Sequence, residues 1–215
     1  MQLWNHAFPG IYIDATEAQS FFHRASRDLN SIASKPIGKS LLELISKRCR
    51  GIGTKVVGGQ VVVKLGVGTI GGDASWEKTA AAPGDFDVIG RGGSASKVGG
   101  AATNFRLAGA GASCPVAYNP SAESQYNQVL GIPTPPYIAL GHELIHALHS
   151  LSGDMYTDSN GDIDVMHEEA RTCGIGPYSG QRISENALRK EHGLTPPRTY
   201  YSDPGDCDGL ASITR

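Results

Sequence analysis

The chain has 215 residues, 40% of them apolar and 19% charged, with a net charge of −2. This composition is that of a globular chain, and the length suits one core, with or without a loosely attached N-terminal segment. The charge balance gives no basic face for nucleic acid, and no run approaches the roughly 18 apolar residues of a spanning helix. Neither nucleic acid nor a membrane is therefore expected as a partner.

The first 20 residues include Asn5, His6, Asp14 and Glu17 and hold no apolar run, which does not read as a Sec-type signal peptide. Export, if it occurs, is expected by another route. Cys49, Cys114, Cys173 and Cys207 form no C-x-x-C pair. That disfavours a thiol-ligated zinc or a redox pair and suits a reducing cytosol.

Asp14 with Glu17 matches a capping box. Phe21, Phe22, Ala25, Leu29 and Ile32 then follow at helical spacing, predicting a helix over 15–34. Pro36 and Gly38 interrupt it. A second helix is expected over 39–49, with Leu41, Leu42 and Ile45 inward. Gly38-Lys39-Ser40 lacks the earlier glycine of a phosphate loop, since that position is Ala33, and no strand precedes it.

Sixteen of the 28 glycines lie between residues 51 and 115, so long loops are expected there and the strand order is not legible. Two short strands over 56–63 around Gly58-Gly59 and another over 114–118 are predicted. Thr134 offers a cap and Pro135 a first turn for a helix over 135–151 that stops at Gly153. The expected organisation is a helical segment over 1–50 and a domain over 51–215.

The last helix carries His142-Glu143-Leu144-Ile145-His146. Four residues advance a helix by about 6 Å and return to nearly the same face, so both imidazoles can grip one Zn²⁺. Glu143 beside them can take a proton from the attacking water. His149 lies about 10 Å along the axis from His142, too far for one ion to reach all three on a straight helix. Metzincin spacing would need Gly at 149 and His at 152, where the chain has His149 and Ser152. A catalytic zinc needs a third protein ligand. His167, Glu168, Glu169 and Glu185 are the downstream candidates. The acidic stretch before them, 154–164, fails as a calcium loop, because Tyr156 and His167 occupy the positions where carboxylates are required.

Three runs together carry a family likeness: Gly141 to His149, then Glu168-Glu169-Ala170-Arg171-Thr172-Cys173-Gly174, then Ser184-Glu185-Asn186-Ala187-Leu188-Arg189. Over residues 110–202 the chain resembles the NleD/HopH/XopG-type effector metalloproteases, which are delivered into host cells by type III secretion. The resemblance implies a host protein substrate of the signalling-kinase class, action in the host cytoplasm and a place for a secretion chaperone among the partners.

The Glu-Glu-x-Arg-Thr-x-Gly run is also similar to the light chains of clostridial neurotoxins. That likeness implies Glu169 as the metal ligand, with Glu168 orienting a His or the Arg. It further implies Arg198 and Tyr201, at Arg-x-x-Tyr spacing, as stabilisers of the oxyanion. The fold implied is α+β: a zincin-like, gluzincin-type core with the metal helix, a crossing helix and a small sheet, preceded by the helical segment. A rival expectation is a host-binding effector with a closed structural zinc site, its fourth ligand being His149 or His167.

Overall fold

The computed structural model describes residues 2–13, 19–52, 63–67, 72–73, 114–118, 120, 132, 134–152, 155 and 162–199. Among them the chain is mostly helical. The helices are α1 (Gln19–Ala33), α2 (Pro36–Ile52), α3 (Pro136–Ser152), α4 (Asp162–Cys173) and α5 (Glu185–Glu191), with a 3₁₀ turn at Gly176–Tyr178. The strands are short: β1 (Gln2–Leu3), β2 (Ile11–Ile13), β3 (Val63–Val67), β4 (Gly72–Asp73) and β5 (Cys114–Tyr118). They pair in the order β1-β2-β3-β5-β4, with the two central pairings parallel and the two outer ones antiparallel. No described helix is long and apolar enough to cross a membrane.

Helix α1 buries Phe21, Ala25, Leu29 and Ile32, four of the five residues whose spacing predicts it, and leaves Phe22 half-buried. The proposed capping box falls outside the described residues. Asp28 is buried on the same face, and its carboxylate accepts a 2.7 Å bond from the Tyr118 hydroxyl and a 3.1 Å bond from Arg27 Nε. Burial, together with this carboxylate, pushes the Tyr118 hydroxyl well above its ordinary pKa, so it stays a donor. The contact ties α1 to β5.

Helix α2 begins at Pro36, three residues earlier than the sequence suggests, and runs on to Ile52. Pro36 opens the helix rather than merely breaking the previous one, because a first-turn proline lacks only an N–H that would have had no intrahelical partner. Gly38 is required sterically: a Cβ there would collide with the Ile32 carbonyl oxygen at the α1–α2 corner. The N–H groups of Ile37 and Gly38 donate to the two carboxylate oxygens of Glu191 at 2.7 and 2.8 Å. The anion at this helix start is thus supplied by the chain itself. Gly38→Ala should lower stability by about 1–3 kcal/mol, the range for overpacking a tight site. Thermal unfolding of the variant measures it, and an unchanged midpoint would contradict the steric reading.

Helix α3 matches its predicted span within a residue at each end. The hydroxyl of Thr134, offered by the sequence as a cap, donates to the Ile132 carbonyl and accepts from Arg189. Ile138, Leu140, Leu144, Ile145, Ala147, Leu148 and Leu151 join residues of α1, α2, β2 and β5 in one apolar core. Leu188 of α5 joins them, and Gly141 admits it: a Cβ at Gly141 would lie 2.7 Å from Leu188 Cδ1. The strand over Cys114–Tyr118 appears where predicted. Most of the 56–63 strand pair lies outside the described residues, with only Val63 entering β3. β1 and β2 have no counterpart in the sequence reading.

Candidate metal centre

Helix α3 is buried along nearly its whole length, so its three histidines are enclosed: His142, His146 and His149 are only 8%, 4% and 7% exposed. A buried imidazole needs hydrogen-bonding or charged partners, since water is not available to it. Those partners come from α4, α5 and the segment after α5.

The Nε2 atoms of His142 and His146 lie 3.0 Å apart. Glu169 of α4 meets both: one carboxylate oxygen is 3.3 Å from His142 Nε2 and the other 3.1 Å from His146 Nε2. Two imidazole nitrogens and a carboxylate thus converge on one point, and these groups can hold a metal. The Glu169 side chain is 27% exposed. The converging point therefore lies toward solvent rather than deep in the core.

The opposite nitrogens face inward. His142 Nδ1 is 2.9 Å from Glu185 Oε2, and His146 Nδ1 is 2.9 Å from Glu168 Oε1. The Glu168 and Glu185 side chains are 4% and 2% exposed. A carboxylate at Nδ1 fixes the tautomer with its proton there, which leaves the Nε2 lone pair free for a ligand role. Adjacent residues on α4, Glu168 and Glu169, therefore serve opposite edges of His146.

Glu185 is the hub of a charged cluster behind His142. Its Oε1 accepts from Arg189 Nε at 2.7 Å, and its Oε2 accepts from Arg198 Nη1 at 2.7 Å. Arg198 is fastened by Asn186, which accepts from its backbone N–H and donates to its carbonyl, both at 2.7 Å. The neurotoxin likeness implies Arg198 at the oxyanion; its guanidinium is buried against the carboxylate that backs His142, a buried anion that needs a cation. Tyr201 lies outside the described residues.

Burial by itself would raise the carboxyl pKa values here. The facing imidazoles outweigh it and hold Glu169 and Glu168 well below the usual carboxylate range, and Arg198, His142 and Arg189 do the same for Glu185. Burial disfavours charge on the histidines, yet Glu169 and Glu168 raise His146 to about 10. The Cys173 thiol, Glu169 and Glu185 likewise hold His142 well above 6.5. All three carboxylates are therefore anionic near neutrality, and a cation at the imidazoles suits them. Burial pushes the Cys173 thiol up, so it is not a thiolate.

Two neighbouring groupings also bring potential ligand atoms within 4.8 Å: His142, Glu169 and Cys173, and His146, His149 and Glu168. The first would engage a protonated thiol. In the second, Glu168 Oε1 sits 2.9 and 2.6 Å from the two Nδ1 atoms, which are hydrogen-bond lengths. At His142, His146 and Glu169, by contrast, the facing atoms are two Nε2 atoms and a carboxylate. Glu143, half-buried, neighbours His142 on α3.

The family model Peptidase_M91, described as an effector protein, matches residues 10–201 of the 215. The chain belongs to this family. No curated protein and no solved structure matches it. Membership in M91 makes the chain an effector of the metallopeptidase kind, secreted and acting on a host substrate. It also agrees with the sequence resemblance to NleD-type effectors.

The sequence points to both imidazoles by spacing and to Glu169 by the neurotoxin likeness. It did not foresee that Glu185 supports His142, or that Arg189 and Arg198 neutralise it. One signal was present: Glu185 and Arg189 stand at i,i+4.

Proposed function

We propose that this M91 chain is a zinc-dependent endopeptidase with a zincin-like α+β core, in which His142, His146 and Glu169 hold the metal. The observation that carries the reading is the meeting of His142 Nε2 and His146 Nε2, 3.0 Å apart, with the two Glu169 oxygens, one 3.3 Å from the first nitrogen and the other 3.1 Å from the second. A tetrahedral zinc with bonds near 2.0–2.1 Å keeps its ligand atoms about 3.3–3.4 Å apart, and each of these three nitrogen–nitrogen and nitrogen–oxygen distances is within about 0.4 Å of that. Three ligands leave the fourth position open for chemistry. The donor set of two imidazoles and one carboxylate is that of zinc peptidases.

When bound, zinc would supply Lewis acidity at the scissile carbonyl and lower the pKa of the attacking water. The chain's residues do the rest. Glu143 accepts the water proton and returns it to the leaving amine. Glu168 and Glu185 keep the protons of His146 and His142 on Nδ1. Arg189 and Arg198 hold Glu185 in place; Arg198 acts through Glu185, and Tyr201 is the candidate oxyanion donor. The helical segment over 1–50 and the domain over 51–215 form one unit, since α1 and α2 share the core of α3.

The substrate is a host signalling protein of the kinase class, reached in the host cytoplasm after type III delivery. The family's effector description and the sequence resemblance support this. The alternative, a non-catalytic host-binding effector, needs a fourth protein ligand. Its candidates are His149, with Nδ1 on Glu168 at 2.6 Å, and His167, with Nδ1 on Tyr178 at 2.8 Å, either of which would have to reach the metal through Nε2.

The reading is tested by Glu169→Ala. Purified wild type should carry one zinc by metal analysis. The variant should bind it far more weakly, by more than the roughly 100-fold that an outer supporting group contributes. Equal zinc content in both would remove Glu169 from the ligand set. Chelation should also lower the unfolding temperature of wild type, because metal binding is linked to folding.

A further inference from the structure

We infer that His149 is a positioning residue for the metal centre, acting through Glu168 on His146. The inference rests on the proposed ligand set and adds to it a chain of contacts running away from the metal. His149 stands three residues after His146 on α3, so the two imidazoles are neighbours on one helix face. They do not share a metal; they share a carboxylate oxygen.

Glu168 Oε1 lies 2.6 Å from His149 Nδ1, 2.9 Å from His146 Nδ1 and 3.3 Å from Thr172 Oγ1. The His149 contact is the shortest of the three. Thr172 Oγ1 also reaches His146 Nδ1 at 3.2 Å. Every member is buried: Thr172 is fully enclosed, Glu168 is 3% exposed and His149 is 7%.

A buried carboxylate holds one orientation only when its donors determine it. Thr172 is on the same helix as Glu168, one turn on, and cannot by itself aim the carboxylate at α3. His149 can, because it comes from the helix that carries both imidazole ligands. With Nδ1–H of His149 donating to Oε1, that oxygen is fixed beside His146 Nδ1. His146 then keeps its proton on Nδ1 and presents Nε2 toward Glu169 and His142. The path is His149 to Glu168 to His146, and the metal is its endpoint.

The prediction separates the donor from the bulk. Asn places an amide N–H near the position of an imidazole Nδ1–H, whereas Gln places it further out and Phe has none. Apparent zinc affinity, measured by chelator competition, should fall about 10–100-fold in His149→Phe and His149→Gln. His149→Asn should stay within about three-fold of wild type on the same reasoning. In cobalt-loaded protein, the visible d–d bands should shift for Phe and Gln and return for Asn. If His149→Phe does not fold by circular dichroism, the Gln and Asn pair carries the comparison.

In a Glu168→Ala background, His149→Gln should cost no further affinity, since its route to the metal has gone. Affinities equal to wild type in both Gln and Phe would overturn the inference. So would an Asn variant as weak as Gln, or a full additional loss in the Glu168→Ala background. Wild type that fails to bind zinc would overturn the proposed function itself, and that outcome is distinct from these.

Discussion

Glu143→Gln is expected to abolish peptide cleavage while leaving bound zinc and the unfolding temperature as in wild type. The substitution preserves side-chain size and one oxygen, and removes the ability to accept a proton. Glu143 follows the first imidazole on α3, and the proposed ligand set is His142, His146 and Glu169. Its loss should therefore spare the metal. General-base catalysis contributes about 10²–10⁴ in rate. At 1.36 kcal/mol for each factor of ten, that is about 3–5 kcal/mol of barrier. The measurement is incubation of wild type and variant with a host lysate, followed by mass spectrometry of new peptide termini. Termini that appear with wild type and not with the variant also identify the substrate. Cleavage by the variant at the wild-type rate would remove Glu143 from the mechanism.

The parts of the molecule that the sequence made legible are those governed by local periodicity. The apolar residues of α1 recur at helical spacing and point into the core, so the helix could be read without knowing its partner. The same holds for α3, whose first-turn proline and following Gly153 bound the span. The two-residue β1 and three-residue β2 are too short to carry a period, and β2, on which β1 pairs, depends on pairing with distant β3. Gly38 looked like punctuation but is a packing requirement set by the Ile32 carbonyl, a fact of tertiary structure.

The candidate site divides along the same line. Two imidazoles at i,i+4 share a face by helix geometry alone, so their convergence was legible. Glu168 and Glu169 differ by one residue, about 100° around α4, and spacing cannot say which side meets α3's Nε2 atoms. The structure puts Glu169 on the Nε2 side and Glu168 on the Nδ1 side. An Arg-x-x-Tyr spacing says nothing about burial, so the contact of Arg198 with Glu185 was not legible. Its guanidinium goes where a buried carboxylate requires a positive charge.

Glu185→Ala is expected to be among the most destabilising substitutions in the chain. Glu185 is 1% exposed and faces Arg189, at 1%, and Arg198, at 4%. Its two oxygens serve both guanidinium groups and His142 Nδ1 at 2.7–2.9 Å. Removing one member of a buried charged cluster leaves the others short of compensation in a site that water does not reach, at a cost of about 3–5 kcal/mol. Whole domains are stable by only about 5–15 kcal/mol. For a chain of this length each kcal/mol lowers the unfolding midpoint by about 2–4 °C, so a fall of roughly 6–20 °C should be seen.

The neurotoxin likeness, by implying Glu169 as the ligand, leaves zinc in place in Glu185→Ala, but the contact to His142 Nδ1 changes that expectation. Affinity should drop about 10–100-fold, as when the carboxylate behind a metal-bound histidine is lost. That loss is smaller than the one expected for Glu169→Ala, and the order of the two identifies which carboxylate touches the metal. Glu185→Gln keeps the shape and an acceptor for one arginine and should fall between wild type and alanine in both readouts. A Glu185→Ala midpoint within 2 °C of wild type, about one unit of that scale, would mean that the two arginines find other anions. The charged cluster would then not be what fixes His142.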